Sequence, residues 1–498
     1  MSPLFILSLI IGYFAVLIFI SYLTSKGANN QTFFLANKGA PWYLVAFGML
    51  GASLSGITFI SVPGKVGNPA DQMSYMQMVL GFFVGYFFIA FVLMPVYYRL
   101  GVTSIYEYLE KRFGVIAYKV GAGYFLLSRS IGAAIRLLLV ASVLQEILFN
   151  QWNVPFWVTA MFSIGLIWLY TNRGGIKTII FTDTLQTAFM LISLGLSIYL
   201  IADYLQLRST EIVPAIVKSQ YSEIWQFDGF FSMNRFHFAK EFIGGFLICI
   251  TMTGMDQDMM QKNLACPNIW DAQKNMISFS IVLVLVNAFF LGLGVLLFMY
   301  QDAVGLELPL SAEGNARTDL LFPLTALDTN NFGLALGVFF LLGLIAAAYS
   351  SADSALTSLT TSFCIDFLNM DEIDEKRRVK VRKIVHIAVS LLLFIIVLIL
   401  HTMLDMSAIM MVIFLASLTY GPLLGLFIFG LFTKLNPHSV GIIVFSLISP
   451  VLSYAIFHVM KSAEVFHFGA LLIGLNAFIM LVGLIISSIG RPKKGIEV

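Results

Sequence analysis

The stretch Ala346–Ser362 reads AAAYSSADSALTSLTTS and lies within a run that is otherwise almost wholly apolar. On a helix that turns about 100° per residue, six of its polar side chains share an arc of roughly 140°; they are Ser350, Asp353, Ser354, Thr357, Ser358 and Thr361. A hydroxyl stripe with one carboxylate is costly at membrane depth unless something polar lies against it. Because hard cations prefer oxygen ligands, the pattern predicts a cation site along this face.

The composition of the whole chain agrees with a membrane location for this stretch. The 498 residues are 59% hydrophobic and only 11% charged, with a mean hydropathy of +0.89. A soluble domain of this size has too little interior to bury so many apolar side chains, so we expect an all-α polytopic membrane protein. The net charge is +2 and the Lys and Arg residues are scattered along the chain, which argues against a nucleic-acid partner.

Apolar runs of about 20 residues predict thirteen transmembrane helices. Their approximate bounds are 3–25, 42–62, 75–98, 120–148, 154–171, 178–203, 240–260, 276–300, 331–366, 384–404, 408–433, 439–460 and 466–489. The first run is too long for a signal sequence and lacks a basic start, so we expect it to be a retained helix. The connections 204–239 and 301–330 are long enough to carry short helices or a lid.

The basic residues predict the orientation of these helices in the membrane. Twenty of the 29 Lys and Arg residues lie in the alternate loops that begin with residues 26–41, whereas seven lie in the loops on the other side. Loops rich in Lys and Arg face the cytoplasm. The N-terminus is therefore expected outside and the C-terminus in the cytoplasm, which fits an odd number of spans.

Two of the predicted helices contain weak points. The second is interrupted by Gly51–Thr58 (GASLSGIT), followed by Pro63 and Gly64, and the seventh contains Gly244-Gly245 and Thr251–Gly254. Small and hydroxyl residues at mid-span permit either close helix packing or an unwound backbone whose carbonyls face a cavity. Because the two weak points lie five helices apart, the second interpretation predicts an inverted-repeat transporter with its site at the midplane.

Few charged side chains fall within the predicted spans. Arg129 and Arg136 lie in the fourth helix, where an arginine needs a partner or a water-filled cavity. Arg129 is equally consistent with binding a substrate carboxylate or with an ion pair, whereas a structural ion pair is the favoured role of Arg136. Gln77 is a candidate cavity group or a simple bundle hydrogen-bonding residue. Asp183 is a candidate ligand or a helix cap, and Asp256–Asp258 is interpreted as a cytoplasmic gate or cap.

Enzymatic readings have little support in the sequence. It contains no HExxH, no GxSxG and no Walker loop, and no GxGxxG follows a strand. A serine hydrolase that used Ser53 or Ser55 would need a base from a remote helix. Without an ATP-binding module, uphill transport would have to use an ion gradient.

Several short motifs, spread over nearly the whole chain, resemble the sodium:solute symporter family. They are Ser104–Phe113 (SIYEYLEKRF), Gly174–Lys177 (GGIK), Thr182–Gln186 (TDTLQ), Asp256-Gln257 and Tyr349–Ser354 (YSSADS). The resemblance implies sodium-coupled uptake by alternating access, with no enzymatic activity. It also implies a leucine-transporter-like 5+5 inverted-repeat fold in a single domain, with repeats at 42–203 and 240–433. The helices at 3–25 and 439–489 would then be peripheral.

Within that family, Leu54–Lys65 (LSGITFISVPGK) is most similar to bacterial sialic acid symporters. The resemblance implies one sodium site formed by Gly51, Leu54, Ala347, Ser350 and Ser351. It also implies a candidate second site formed by Asp183, Ser350, Asp353 and Ser354. Asp353 stands where a serine is expected, and a carboxylate there would hold a cation more strongly or take a proton instead. The number of coupled ions therefore stays open.

The same resemblance implies a substrate pocket formed by Ser53, Ser55, Thr58, Gln77 and Arg129, with Arg129 on the substrate carboxylate. We therefore expect a sodium symporter in a bacterial inner membrane, functional as a monomer, that imports sialic acid or another acidic sugar. Met73 replaces an aromatic residue of the sialic acid pattern, so a neutral sugar, inositol or another carboxylate is the alternative substrate. Outside transport, the rival classes are a channel and a transporter-like sensor.

Overall fold

The computed structural model describes residues 3–26, 30–171, 175–310, 314, 316–368, 370, 374–403 and 408–492. Within these ranges the chain folds into twenty-one α-helices, and its single β-bridge joins Leu310 to Ala316. The helices are α1 Pro3–Thr24, α2 Asn30–Leu35, α3 Trp42–Ser53, α4 Gly56–Lys65, α5 Tyr75–Phe88, α6 Met94–Leu100, α7 Glu107–Phe113, α8 Val115–Leu144, α9 Phe156–Thr171, α10 Ile176–Tyr204, α11 Ile212–Lys218, α12 Phe238–Cys249, α13 Gln257–Leu264, α14 Ile269–Val304, α15 Leu321–Ala326, α16 Thr329–Ser362, α17 Glu375–Met403, α18 Ala408–Thr419, α19 Gly421–Phe432, α20 Ser439–Ser462 and α21 Leu472–Ser487.

A helix or a bent helix pair lies at each of the thirteen positions where the hydropathy pattern predicts a span, and up to twelve of them are long and apolar enough to cross a membrane. In the described part of the chain, nine helical stretches are long and apolar enough to cross a membrane, and three bent helix pairs pass the same test together. The shorter apolar helix α9 occupies the position of the fifth predicted span. The bounds differ most at α14, which has 36 residues and extends beyond both ends of the predicted 276–300, and at α17, which begins before the predicted residue 384.

Both weak points predicted in the sequence are places where a helix breaks. The axes of α3 and α4 differ by 60° around Leu54 and Ser55, and those of α12 and α13 differ by 61°. The second break follows a π-helical turn at Ile250–Gly254, and the Asp256 carboxylate caps the start of α13. The final carbonyls of α3 and of the π turn that follows α12 have no further helical turn to donate to them, so polar backbone is concentrated at these two points.

The glycine pair of the seventh span has a different role from the one its position suggests. A Cβ on Gly245 would lie 2.3 Å from the Met78 carbonyl oxygen, and a Cβ on Gly244 would lie 2.3 Å from the Ala470 Cβ. These glycines therefore let α12 approach α5 and the start of α21, whereas the helix breaks ten residues later. The small-residue stretch contains both a packing seam and a break, at separate positions.

A third bend separates α18 from α19 at Tyr420, by 46°. The apolar run at 408–433 predicts a single unbroken span, and the bend corrects that prediction. Its physical cause is Pro422 in the first turn of α19, which lacks a backbone donor for the preceding turn.

The two long connections contain short helices, as predicted. The connection 204–239 contains α11, and 301–330 contains α15 after a short 3₁₀ turn at Thr318–Leu320. The first of these connections is also hydrogen-bonded to the turn before α5, since Met73 N donates to Glu223 O at 3.0 Å.

Candidate functional site

A cavity of about 140 Å³ lies at the break between α3 and α4, and we call it the buried cavity because most of the residues that line it are buried. Four of the five predicted substrate residues line it, namely Ser53, Ser55, Thr58 and Arg129. The other lining side chains come from α5, α8, α12 with its π turn, α13 and α18; they include Tyr75, Met78, Phe82, Tyr86, Arg136, Cys249, Met252, Thr253, Met259 and Ile413. The wall is thus hydroxyl and cationic at the helix break and largely apolar elsewhere.

Arg129 is held at this cavity by an acidic partner. Its Nη2 forms a buried ion pair with Asp258 Oδ2 of α13. Arg129 Nε and Asp258 Oδ1 have no hydrogen-bond partner within the described residues. The ion pair stabilises the guanidinium in an apolar bundle, and the unpaired Nε–H leaves a donor for a ligand.

Arg136 does not have the structural ion pair expected for it. It lines the same cavity, yet among the described residues no acidic side chain forms an ion pair with it, and its Nε has no partner. Arg129, for which both roles were left open, therefore has an ion pair with Asp258, whereas Arg136, for which an ion pair was favoured, has none. The cavity therefore contains a second positive charge, at the arginine for which a structural ion pair was expected.

Gln77 is the one predicted substrate residue that the structure does not bring to the cavity. Its Nε2 donates to the Phe236 carbonyl oxygen at 2.9 Å, and its Oε1 accepts from Gln226 N at 3.1 Å. The amide is fully buried and joins α5 to the 204–239 connection. Of the two roles considered for it, the structure favours the hydrogen-bonding one.

The polar face of α16 packs against the break between α3 and α4. Ser351 Oγ donates to the Ala52 carbonyl oxygen at 3.1 Å, and a Cβ on Gly56 would lie 3.3 Å from the Ala348 Cβ. The five residues of the expected first sodium site thus come from two segments in contact, the end of α3 with Gly51 and Leu54, and the α16 segment 347–351. Hydroxyl and carbonyl oxygens meet here, which is the ligand chemistry of a hard monovalent cation.

The expected second sodium site has an internal cation beside it. Lys262 Nζ of α13 lies 2.7 Å from Asp183 Oδ2, and Ser350 Oγ donates to Asp183 Oδ1 at 2.6 Å. Asp353 Oδ2 instead accepts from the Tyr170 hydroxyl at 2.6 Å. Asp353 Oδ1 and Ser354 Oγ have no partner within the described residues. The cluster therefore has two carboxylates and one ammonium, with free oxygens on the Asp353 side.

The sequence did not predict that Asp258 and Lys262 form ion pairs with Arg129 and Asp183 inside the bundle. Both lie in α13, which is buried along its whole length, and they are separated by one helical turn. The neighbouring Asp256 is the predicted cap, and its Oδ2 also accepts from the Tyr420 hydroxyl at 2.5 Å. The signal in the sequence was an acid and a base four residues apart in a short polar segment, but the sequence does not tell which distant charge each of them contacts.

Comparison with known proteins decides the family. A family model described as "Sodium:solute symporter family" matches residues 33–439, which is most of the chain. The chain belongs to the sodium:solute symporter family. As the family name states, sodium is the coupling ion that moves together with a solute, and the chain is a multi-pass membrane protein.

Similar proteins within this symporter family transport different solutes. The chain is 26% identical over 349 residues to the sodium-coupled monocarboxylate transporter 1 of Mus musculus, a match that covers 68% of this chain but 53% of that relative. It is 24% identical over 452 residues to the sodium/sialic acid symporter SiaT of Proteus mirabilis, covering 86% of this chain and 84% of that one. The matched region thus spans about half the length of the mouse relative.

A solved structure of a Na⁺-coupled sialic acid symporter has the same fold. The two chains superpose with a TM-score of 0.82 and cover 99% of each other at 21% identity. At this identity the similarity establishes the fold of the symporter, the leucine-transporter-like arrangement that the sequence resemblance implies. The similarity does not identify the solute that this chain transports.

Proposed function

We propose that this symporter imports a small organic anion, with sialic acid or another acidic sugar as the first candidate. The observation that carries the proposal is the position of Arg129, whose guanidinium lines the buried cavity beside Ser53, Ser55 and Thr58 and has an unpartnered Nε. A guanidinium donor near several hydroxyls suits a carboxylate attached to a polyol. The similarity to SiaT supports the same substrate class.

A short-chain monocarboxylate is the second candidate, and the cavity volume favours it. Ligand pockets usually enclose about 300–1,000 Å³, whereas this cavity encloses about 140 Å³. A sugar acid would require the cavity to widen, whereas a small carboxylate would need little change. The mouse relative, named as a monocarboxylate transporter, is consistent with this alternative.

We infer that coupling works by site assembly between the α3–α4 break and α16. Sodium held by Gly51, Leu54, Ala347, Ser350 and Ser351 would join two segments that belong to different halves of the protein. Binding there stabilises the conformation open to the outside, after which the substrate closes the outer path. A second cation at Asp183, Ser350, Asp353 and Ser354 would share Ser350, so the two sites would be coupled through one hydroxyl.

The remaining features of the proposal follow from the sequence. We place the protein in a bacterial inner membrane as a functional monomer, with the N-terminus outside and the C-terminus in the cytoplasm, because Lys and Arg are concentrated in the alternate loops. Two inverted repeats at 42–203 and 240–433 would surround the site, with peripheral helices at 3–25 and 439–489. Transport requires no covalent step, so the protein is not assigned an enzymatic activity or a nucleic-acid partner.

The experiment that tests this function is uptake into proteoliposomes under an imposed sodium gradient. N-acetylneuraminate, pyruvate and N-acetylmannosamine serve as the acidic sugar, the monocarboxylate and the neutral sugar. Saturable uptake of either anion that disappears when choline replaces sodium supports the proposal. Uptake of the neutral sugar alone contradicts an anionic substrate, unsaturable flux indicates a channel, and binding without flux indicates a sensor. Binding is measured in parallel by the rise in melting temperature.

A further inference from the structure

A second cavity, of about 320 Å³, adjoins the buried one on the side where Lys65 ends α4. It lies between the end of α4, α12, α18, α20 and the start of α21. Its lining side chains are Lys65, Met78, Arg235, Phe236, Glu241, Ile413, Phe414, Tyr454, Phe457, His458, Lys461, His467, Ala470 and Leu472. We call it the outer cavity, because the topology prediction places Lys65, Arg235 and Lys461 outside.

The outer cavity has an excess of positive charge. Lys65 forms an ion pair with Asp71, with Nζ and Oδ2 3.2 Å apart. Arg235 and Lys461 form no ion pair with any acid among the described residues, and Glu241 is the one acid that lines the cavity. The Arg235 guanidinium lies 4.4 Å from the Phe236 ring centroid, which fixes its position by cation–π contact. Two unpaired cations therefore share a pocket with a single carboxylate.

This concentration of cations is unusual for its side of the membrane. The predicted outer loops and helix ends contain only seven Lys and Arg residues, as the positive-inside rule requires. Three of these seven line the outer cavity. A fourth, Lys240, is buried behind it and donates to three backbone carbonyls, those of Ser232, Asn234 and His467. Cations that are scarce on this face are thus clustered at one pocket.

Two apolar side chains separate the outer cavity from the buried one. Met78 of α5 and Ile413 of α18 line both cavities. The backbone of Met78 is fixed by its close approach to Gly245, so movement at this partition is expected in the Met78 side chain and in α18. Methionine is flexible and adapts its shape readily, which suits a side chain that must move aside.

We propose that the outer cavity is a binding site for the carboxylate group of the transported anion, occupied before the solute passes Met78 and Ile413. This inference rests on the proposed function, since it assumes an anionic solute. A positively charged cavity raises the local concentration of anions and their association rate. Arg235 and Lys461 supply the charge, Phe236 orients Arg235, and the apolar partition delays passage until the buried cavity opens.

Occupancy of the outer cavity can be measured without transport. The three native cysteines are buried, so a Ser462→Cys variant would introduce a single exposed thiol next to Lys461. This thiol is labelled with an environment-sensitive fluorophore, and the protein in nanodiscs is titrated with N-acetylneuraminate and with pyruvate in sodium-free choline chloride. We expect a saturable signal with both carboxylates and none with N-acetylmannosamine. A signal with neither carboxylate, or an equal one with the neutral sugar, overturns the proposal.

Charge variants test whether Arg235 and Lys461 are responsible for the fluorescence signal. In an Arg235→Gln/Lys461→Gln background we expect the apparent Kd for the carboxylate to rise about tenfold and the KM for uptake to rise several-fold, with kcat unchanged. Lys218→Gln is the matched control, because it removes an exposed charge of α11 that does not line the cavity. If the double variant and the control change the Kd and the KM equally, carboxylate binding at the outer cavity is contradicted. Melting temperatures establish that each variant is folded.

The two proposals fail in distinguishable ways. If carboxylates bind at the labelled outer cavity but are not taken up with sodium, the outer site stands and the proposed transport function is wrong. If uptake of an anion is sodium-coupled but the label does not respond to it, the function stands and the outer site is wrong. The sodium-free titration makes the first result independent of the cation sites.

Discussion

Lys262 Nζ lies 2.7 Å from Asp183 Oδ2 inside the helical bundle, and both side chains are almost completely shielded from solvent. The pair joins α13, the second half of a broken span, to α10, which packs along α16. The other oxygen of Asp183 accepts from Ser350. One carboxylate therefore links an internal ammonium to a hydroxyl that belongs to both expected sodium sites.

Removing the ammonium should expose this carboxylate to sodium. We expect Lys262→Met to destabilise the protein at low sodium by about 3–5 kcal/mol, because it leaves a buried carboxylate unpaired. Sodium should restore much of the loss by binding in place of the ammonium. The measurement is the melting temperature in nanodiscs as a function of sodium concentration, with choline replacing sodium.

The double variant Lys262→Met/Asp183→Asn is the control for this prediction. It removes both charges, so its melting temperature should recover without sodium, since loss of a whole buried pair is often close to neutral. A single variant that melts like the double variant at every sodium concentration would show that Asp183 does not bind the cation.

Asp353 provides a test of the second cation. We expect Asp353→Ala to lower the Hill coefficient of sodium-dependent uptake toward one, because the free Oδ1 of Asp353 would be the strongest ligand of that site. Tyr170→Phe is the matched control, since it removes the 2.6 Å hydrogen bond to Asp353 but leaves the carboxylate in place. An unchanged Hill coefficient in Asp353→Ala would argue for a single coupled sodium.

Much of this fold could be predicted from the sequence because a bilayer imposes simple rules. Apolar runs of about 20 residues predicted the positions of the long apolar helices, and the small-residue stretches at Gly51–Thr58 and Thr251–Gly254 indicated two of the three breaks. The bend at Tyr420 escaped prediction. Its signal was the Gly421-Pro422 pair, which in a long apolar run looks like an ordinary tolerated kink.

The pairing of polar side chains was less predictable than the helices. Asp258 is 129 residues from Arg129, and Lys262 is 79 residues from Asp183, so no local pattern joins them. The partners of Gln77 could not be predicted either, because its amide bonds to the distant backbone groups Phe236 O and Gln226 N. The spacing of residues along a helix predicts on which face a polar side chain lies. Its bonding partner depends on how helices that are distant in sequence pack together.

The first sodium site is tested through Ser351. We expect Ser351→Ala to raise the half-saturating sodium concentration about tenfold, equivalent to ~1.4 kcal/mol for one lost oxygen ligand. Ser358→Ala is the matched control on the same helix, because the Ser358 hydroxyl donates to the Ala355 carbonyl of its own turn. Sodium dependence is measured as initial uptake at a fixed substrate concentration. Equal shifts in the two variants would contradict a ligand role for Ser351.

Asp258 should compete with the substrate for Arg129. Because the carboxylate of Asp258 already binds Arg129, we expect Asp258→Asn to lower the KM for an anionic substrate about fivefold and to reduce thermal stability. Asp271→Asn is the control, since Asp271 is partly exposed and its Oδ1 lies 3.9 Å from Lys274 Nζ. If Asp258→Asn instead raises the KM as much as Arg129→Gln does, the ion pair itself is part of the binding site.

His467 should make the outer cavity acid-sensitive. Its burial, together with the positive charges of Arg235, Lys461 and Lys240, lowers the pKa of His467 to about 4, and its Nδ1 accepts from Gly469 N at 3.0 Å. The folded state therefore binds the proton less tightly than the unfolded state, whose histidine pKa is about 6.5. The contribution of His467 to stability should be constant above pH ~6.5 and should fall between pH ~6.5 and ~4. His467→Asn keeps an acceptor but does not titrate, so its melting temperature should fall less over this range; parallel curves would contradict the role of His467.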